Sequence, residues 1–164
     1  MVIGYTTGVF DLFHIGHLNI LRNAKSLCDR LIVGVTVDEL VQYKNKRAVI
    51  PFEERIEVVR ACRHVDLAVP QDTMDKLDAW QRYKFNVMFV GDDWYQNDKW
   101  KQLDAAFAER EVRILYFPYT KTTSSTLINQ TLQRLRNEGS AAVEPAEALT
   151  LPATLGTASA SLNA

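Results

Sequence analysis

Residues 31–37 are Leu-Ile-Val-Gly-Val-Thr-Val, an apolar stretch without the alternation of polar and apolar residues that a half-exposed strand shows. A continuous apolar strand is typical of a sheet that is covered on both faces, as parallel sheets are. Around this stretch, short β-rich segments alternate with longer segments of helical period, which predicts a parallel sheet between two layers of helices. The sequence therefore predicts an α/β fold.

Strands and helices are predicted in alternation along the chain. The predicted strands cover residues 2–6, 31–37, 67–69, 87–90 and 113–117. The predicted helices cover residues 16–28, 38–41, 51–63, 73–83, 99–109 and a last segment from Ser124 or Ser125 to about Asn137. One face of the first helix carries Leu18, Leu21, Ala24 and Leu27. This order predicts a Rossmann-like, doubly wound parallel sheet in a single domain, residues 1–137, with ligands beyond the carboxyl ends of the strands.

The bulk composition fits one globular domain. The chain has 164 residues, of which 47% are hydrophobic, and a formal net charge of -1, so no nucleic-acid or membrane partner is predicted. Neither a signal peptide nor a stretch of about 20 apolar residues is evident, so a soluble, cytoplasmic protein is expected. Cys28 and Cys62 are expected to be ordinary buried or half-buried thiols. Residues 138–164 are rich in Ala, Ser and Thr, which predicts a flexible tail.

Two histidines open the first predicted helix after a turn that contains a glycine. Gly8 follows the first strand, and His14, Gly16 and His17 lie at the start of the helix. The amides of a helix N-terminus bind phosphate well, and imidazoles three residues apart share one face of the first turn. We therefore predict that both histidines hydrogen-bond phosphate oxygens and the charge that develops at an α-phosphorus. The alternatives are simple helix capping and a zinc site, for which no third ligand is evident.

Residues 8–17, Gly-Val-Phe-Asp-Leu-Phe-His-Ile-Gly-His, resemble the signature of the cytidylyltransferase branch of the HIGH nucleotidyltransferase superfamily. This branch includes glycerol-3-phosphate, choline-phosphate and ethanolamine-phosphate cytidylyltransferases. The resemblance covers about residues 1–135 and implies an enzyme that joins a phosphorylated alcohol to CTP and releases pyrophosphate. It also implies nucleotide contacts from Val9 and Phe10, Mg²⁺ carried mainly by the triphosphate rather than by protein ligands, and a homodimer.

A basic cluster follows the strand at 31–37. Lys44, Lys46 and Arg47 lie where the phosphates of the substrates need compensating charge, although a solvated surface would have the same composition. The resemblance implies that Lys44 contacts the phosphorylated alcohol and that Lys46 contacts the nucleotide and takes part in catalysis. The further substrate contacts that it implies are Lys76, Arg55 and Arg63. The two arginines match family positions but could equally be structural ion-pair partners.

An acidic turn with a tryptophan follows the strand at 87–90. The tetrapeptide Gly91-Asp92-Asp93-Trp94 resembles that of the glycerol-3-phosphate enzymes, although Gly-Asp is also ordinary turn chemistry. A carboxylate at this place could bind ribose hydroxyls, hold a basic side chain or help to position Mg²⁺. The resemblance implies that Asp92 contacts the nucleotide and that Asp93 and Trp94 contact the smaller substrate.

The turn before the last helix is rich in hydroxyls, since six of the seven residues 120–126 are Ser or Thr. Capping uses one hydroxyl, so the turn predicts a second anion site, suited to the β- and γ-phosphates. The similar family motif is Arg-Thr-Glu-Gly-Ile-Ser-Thr-Thr, and its matching residues here are Thr120, Ser124, Ser125 and Thr126. Tyr119 stands at the position of the arginine, and we hypothesise that Lys121 supplies the missing charge. An enzyme with altered substrate choice or weakened activity is also compatible with this departure.

We expect CTP and a small phosphorylated alcohol as substrates, with glycerol 3-phosphate favoured by Lys44, by residues 91–94 and by the short chain. The alternatives are a choline- or ethanolamine-phosphate cytidylyltransferase, an adenylyltransferase similar to FAD synthetase, and a nucleotide-binding module that has lost catalysis. Each enzyme reading requires that the turns at His14 and at residues 120–126 face one shared pocket.

Overall fold

The computed structural model describes residues 1–42, 47–91, 98–118 and 120–141. Its strands are β1 (Ile3–Gly8), β2 (Arg30–Thr36), β3 (Leu67–Gln71), β4 (Val87–Gly91) and β5 (Arg113–Phe117). Its helices are α1 (Ile15–Lys25), α2 (Asp38–Gln42), α3 (Phe52–Arg60), α4 (Lys76–Tyr83), α5 (Asp98–Ala108) and α6 (Ser125–Ala141). The predicted alternation of strands and helices is confirmed.

The strands form one sheet in the order β3-β2-β1-β4-β5, and all neighbouring pairs are parallel. The chain builds the sheet outward from β1 to β3 and then returns to the other side of β1 for β4 and β5. The strand order therefore reverses between β1 and β4. Ligands of such sheets bind beyond the carboxyl ends of the strands at this reversal.

Both faces of the sheet are covered, as the apolar sequence of β2 predicts. Leu31, Val33 and Val35 belong to a buried cluster that includes side chains of α1 and α3. Ile32, which points to the other face, belongs to a second cluster that includes side chains of α4 and α5. The fold is therefore a Rossmann-like, doubly wound α/β sheet.

The end of α1 differs from the prediction. The helix ends at Lys25 rather than at residue 28, because the N–H groups of Leu27 and Cys28 bond only three residues back, to the carbonyls of Ala24 and Lys25, and the chain then leaves the helix. Leu27 therefore lies outside the helix and is 51% exposed, while Cys28 packs against the core. The assignment of Leu27 to the buried face of α1 was wrong.

The end of α6 differs as well. This helix continues to Ala141, so residues 138–141 are helical and do not belong to an irregular tail. The rest of the predicted tail lies outside the described residues. Contacts between Cα atoms group the chain into two compact units, Met1–Gln130 and Thr131–Ala164, and the sheet and the cleft described below belong to the first.

Two predictions from composition can be compared with the structure. Cys28 and Cys62 are free thiols and both are half-buried, as expected. In the part of the chain that the structure describes, none of the helices has the length and apolar character that crossing a bilayer requires.

Candidate functional site

The turn between β1 and α1 has a strained backbone that its neighbours hold in place. Phe10 and Leu12 have positive φ angles of 54° and 49°, which residues other than glycine rarely adopt. Gly8 allows the turn, because a Cβ there would lie 3.1 Å from the Phe10 ring. The Asp11 carboxylate accepts two backbone N–H groups of the segment before α3 at 2.8 and 2.9 Å, and Ser125 Oγ donates to the Asp11 carbonyl at 2.6 Å. Such strain is frequent at functional sites.

The two histidines form a reciprocal cap on α1. His14 is the N-cap residue, and its Nδ1 accepts the N–H of Gly16 at 3.0 Å. His17 Nδ1 accepts the N–H of His14 at 3.3 Å, and the centroids of the two rings lie 4.0 Å apart. Because each Nδ1 is an acceptor, the proton of each neutral imidazole is assigned to Nε2. Capping and donation therefore use different nitrogens of the same ring.

The surroundings of the rings keep both histidines neutral at pH 7. Burial lowers the pKa of His14 below its ordinary value. For His17, burial and then the neighbouring His14 lower the pKa to about 4, although Asp11 acts in the opposite direction. Each ring can therefore present a neutral Nε2–H donor to an oxyanion without first losing or gaining a proton.

The turn before α6 combines capping with contacts to α1. Ser124 Oγ accepts the N–H of Leu127 at 3.1 Å, so this hydroxyl caps the helix. Thr120 Oγ1 accepts Asn19 Nδ2 of α1 at 3.2 Å, and Ser125 donates to the turn after β1 as described above. The hydroxyl-rich sequence thus ties the start of α6 to the start of α1. Capping explains one of the hydroxyls, as the sequence suggested, and leaves other donors at this place.

Both turns line one cleft of about 550 Å³. The predicted residues that line it are His14, His17, Thr120, Ser124, Ser125 and Thr126. Gly91, at the carboxyl end of β4, lines it too, so the cleft lies at the reversal of strand order. The prediction that the two turns face a shared pocket is confirmed. Hydroxyls, amides of two helix N-termini and neutral imidazole donors together suit a phosphorylated anion.

Several predicted site residues lie outside the described residues, namely Lys44, Lys46, Asp92, Asp93, Trp94 and Tyr119. Lys76 is described, and it begins α4. Its Nζ donates to Thr7 Oγ1 at 3.2 Å, and Thr7 lines the cleft at the end of β1. The structure therefore brings Lys76 to the edge of the cleft.

Val9 and Phe10 have supporting positions. The Val9 carbonyl accepts a hydrogen bond from Arg55, and Phe10 is buried with its ring centroid 5.3 Å from that of His17. Neither residue is among the described residues that line the cleft. Phe10 therefore supports the position of His17 beside the cleft, and its place does not support the predicted direct contact with nucleotide.

The two arginines lie away from the cleft. Arg55 is 1% exposed and donates to the carbonyls of Ile50 and Val9 and to the carboxylate of Asp38. These contacts match the ion-pair alternative rather than the substrate contact. Arg63 is exposed in the turn between α3 and β3, at the amino end of β3, whereas the cleft lies at the carboxyl ends. Its position does not support the assignment to the substrate site.

Sequence reasoning missed the polar face of α1. Asn19, Arg22 and Asn23 line the cleft together with Thr7 and Thr123. Arg22 and Asn23 follow Asn19 by three and four residues, which places all three on one side of the helix, and this spacing was the available signal. The signal was incomplete, because the placement of the turn at 120–126 beside α1 decides which side of the helix lines the cleft.

A family model described as cytidylyltransferase-like matches residues 5–134 of the chain. A polar cleft at the reversal of a doubly wound sheet is where proteins of this fold bind nucleotides. The chain belongs to the cytidylyltransferase-like family of nucleotidyltransferases.

Relatives agree with this assignment, and a solved structure shares the fold. The glycerol-3-phosphate cytidylyltransferase of Staphylococcus aureus is 31% identical over 128 residues, which cover 77% of this chain and 92% of that protein. An FAD synthase of Archaeoglobus fulgidus is 39% identical over 94 residues, 57% of this chain and 68% of that protein. A lipopolysaccharide core biosynthesis protein from Thermoplasma volcanium shares the fold with a TM-score of 0.63 at 24% identity, over 75% of this chain and 99% of that chain.

Proposed function

We propose that the chain catalyses CTP + glycerol 3-phosphate → CDP-glycerol + pyrophosphate. The observation that carries this proposal is the single cleft into which both anion-binding turns open, at the reversal of strand order. One turn supplies imidazole donors and the other supplies hydroxyls and helix amides. This arrangement supports a polyphosphate that spans both turns.

The chemistry needs neither a covalent intermediate nor a general base. A phosphate oxygen of glycerol 3-phosphate attacks the α-phosphorus in line, the new P–O bond forms, and the bond to the β-phosphate breaks with release of pyrophosphate. The attacking oxygen is already anionic at neutral pH. The protein therefore contributes positioning and stabilisation of developing charge.

The roles of the residues follow from their places. Nε2–H of His14 and of His17 would donate to oxygens at the α-phosphorus, and the turn at 120–126 would hold the β- and γ-phosphates. Lys76 would bind the phosphate of the second substrate from the edge of the cleft. Lys46 is proposed as a further charge at the reacting centre.

Mg²⁺ is proposed to enter with the triphosphate and to neutralise part of its charge, since phosphate oxygens are ligands that this cation prefers. In the described part of the chain, no group of three or more His, Cys, Asp or Glu residues is placed to hold a metal ion. The cleft residues that the structure describes therefore fit the phosphates of such a complex rather than the ion itself.

The preference for CTP and glycerol 3-phosphate rests on the relatives. The Staphylococcus aureus enzyme aligns over nearly its whole length, whereas the FAD synthase aligns over a shorter part at higher identity. That higher identity favours a second candidate, transfer of an adenylyl group from ATP to FMN. A homodimer is proposed from the family resemblance alone.

The test is a panel of nucleotides and acceptors with release of pyrophosphate as the readout. CTP and ATP are each combined with glycerol 3-phosphate, phosphocholine, phosphoethanolamine and FMN, with and without Mg²⁺. We expect turnover with CTP and glycerol 3-phosphate in the presence of Mg²⁺. Turnover only in the combination of ATP with FMN would establish the second candidate. Binding of nucleotide without turnover in any combination would indicate a module that has lost catalysis.

A further inference from the structure

The cleft contains few formal positive charges for a ligand as anionic as a triphosphate. Among the described residues that line it, Arg22 is the only Lys or Arg side chain, and the two histidines are neutral at pH 7. Transfer of a nucleotidyl group develops further charge on the leaving pyrophosphate, which cationic side chains stabilise. The position of Arg22 therefore decides where this part of the cleft can neutralise charge.

Contacts connect Arg22 to the hydroxyl turn. Its Nη2 donates to Asn19 Oδ1 at 2.8 Å, and Asn19 Nδ2 donates to Thr120 Oγ1 at 3.2 Å. Arg22 lies eight residues after the N-cap His14, about 12 Å along the axis of α1. Asn19 therefore links the guanidinium to Thr120 at the start of the hydroxyl turn, and the backbone of Arg22 lies farther along α1 than that of the histidines.

Arg22 is also suited to a ligand by what surrounds it. No carboxylate among the described residues forms a salt bridge with it, whereas Arg60 and Arg82 do have such partners. The contact with Asn19 uses one of the five N–H donors of the guanidinium. The planar fork of an arginine matches two phosphate oxygens at once.

Lys121 is the rival source of charge, as the sequence suggested. The structure leaves Lys121 exposed, and the residue is absent from the described lining of the cleft. Thr120 and Thr123 on either side of it do line the cleft. The loop therefore presents its hydroxyls to the cleft at these positions while the lysine is solvated.

We propose that Arg22 binds the terminal phosphates of the nucleotide and the pyrophosphate that leaves. Asn19 is a positioning residue that holds the guanidinium toward the hydroxyl turn. This inference rests on the proposed function in requiring a nucleoside triphosphate in the cleft, but it is independent of the second substrate.

The test compares dissociation constants for CTP, CMP and inorganic pyrophosphate by calorimetry, using the full chain. We expect Arg22→Ala to weaken CTP and pyrophosphate binding by about tenfold to one-hundredfold, the range for a lost charged hydrogen bond. CMP binding should change by less than about twofold, because the monophosphate lacks the groups that Arg22 contacts. Arg22→Lys should recover part of the loss, since it keeps the charge without the fork.

Matched variants separate this role from a general effect of charge. Arg60→Ala removes one positive charge from α3, away from the cleft, and should bind CTP like the wild type. If Lys121→Ala weakens CTP binding and Arg22→Ala does not, Lys121 supplies the charge and the proposal for Arg22 is wrong. Equal weakening of CTP and CMP in Arg22→Ala would also overturn it, because that pattern indicates a disturbed helix.

The same titrations distinguish the two levels of the proposal. If the wild type binds CTP or ATP and Arg22→Ala binds it equally well, the inference for Arg22 fails and the proposed function stands. If the wild type binds neither triphosphate nor pyrophosphate, the proposed function itself fails, and the role of Arg22 fails with it.

Discussion

Asparagine and glutamine at position 17 each substitute for one nitrogen of the His17 ring and lose the other, and the nitrogen that is kept differs between the two variants. Nδ1 accepts the N–H of His14 at 3.3 Å, whereas Nε2–H is proposed to donate to phosphate. In His17→Asn, the carboxamide oxygen lies near the place of Nδ1, so the cap is kept and the donor is lost. In His17→Gln, the longer side chain brings an N–H near the place of Nε2, so the donor is kept and the cap is lost.

The two losses have different sizes and different readouts. A lost donor to the transition state lowers turnover by about 10²–10³, or roughly 3–4 kcal/mol. A lost helix cap lowers the free energy of unfolding by about 1 kcal/mol. We therefore expect His17→Asn to be the slower and more stable variant, and His17→Gln to be the faster and less stable one. The order in kcat is opposite to the order in stability.

The assay measures release of pyrophosphate from saturating CTP and glycerol 3-phosphate, together with unfolding in urea for the same preparations. Saturating substrate isolates kcat from changes in binding, and the urea data show that a slow variant is folded. The reasoning is refuted if His17→Asn turns over at nearly the rate of the wild type. In that case His17 caps the helix and its Nε2–H contributes nothing to the reaction.

Three further predictions concern the support of the site. In Gly16→Ala the new Cβ would lie 2.7 Å from Cε1 of the His14 ring, so the ring must move. Turnover should therefore fall about tenfold or more, with little change in the urea midpoint. Normal turnover in this variant would contradict the prediction. Arg55→Met removes a buried guanidinium that pairs with the partly exposed Asp38 and donates to two carbonyls, so it should lower the free energy of unfolding by about 3 kcal/mol, the scale of lost charged hydrogen bonds. Arg60→Met, at a pair with both partners exposed, should change it by less than about 0.5 kcal/mol, and similar losses in both variants would count against the role of burial. The pKa of His17 is about 4 in the folded chain and 6.5 ordinarily, so between these pH values the unfolded chain binds a proton that the folded chain excludes. The free energy of unfolding should therefore fall by about 3 kcal/mol as the pH drops from 6.5 to 4. The wild type should therefore lose stability relative to His17→Asn over this range in urea titrations, and a difference independent of pH would disagree with the buried, neutral ring.

The fold and the centre of the site could be predicted from local patterns in the sequence. The uninterrupted apolar residues of β2 required cover on both faces, and the alternation of strands and helices then required a parallel sheet. Functional residues of such a sheet follow the strands, which placed His14 and the turn at 120–126 on the same edge. These inferences needed only the order of elements and the spacing of residues.

Other features depended on packing that the spacing of residues does not encode. Leu27 continues the apolar periodicity of α1, but the backbone leaves the helix at Ser26 and exposes it. Arg55 belongs to a residue type that often binds phosphate, yet its N–H groups donate to protein carbonyls and to Asp38. Arg22 resembles an ordinary solvated residue of a helix until the placement of the 120–126 turn beside α1 puts it on the wall of the cleft.

The most direct test of the central claim is a crystal structure of the protein with CTP bound. The result we expect is one triphosphate that contacts Nε2 of His14 and His17 at its α-phosphate and the turn at 120–126 at its β- and γ-phosphates. A triphosphate that contacts only one of the two turns, or that binds elsewhere on the sheet, would contradict the claim that they form a single nucleotide site.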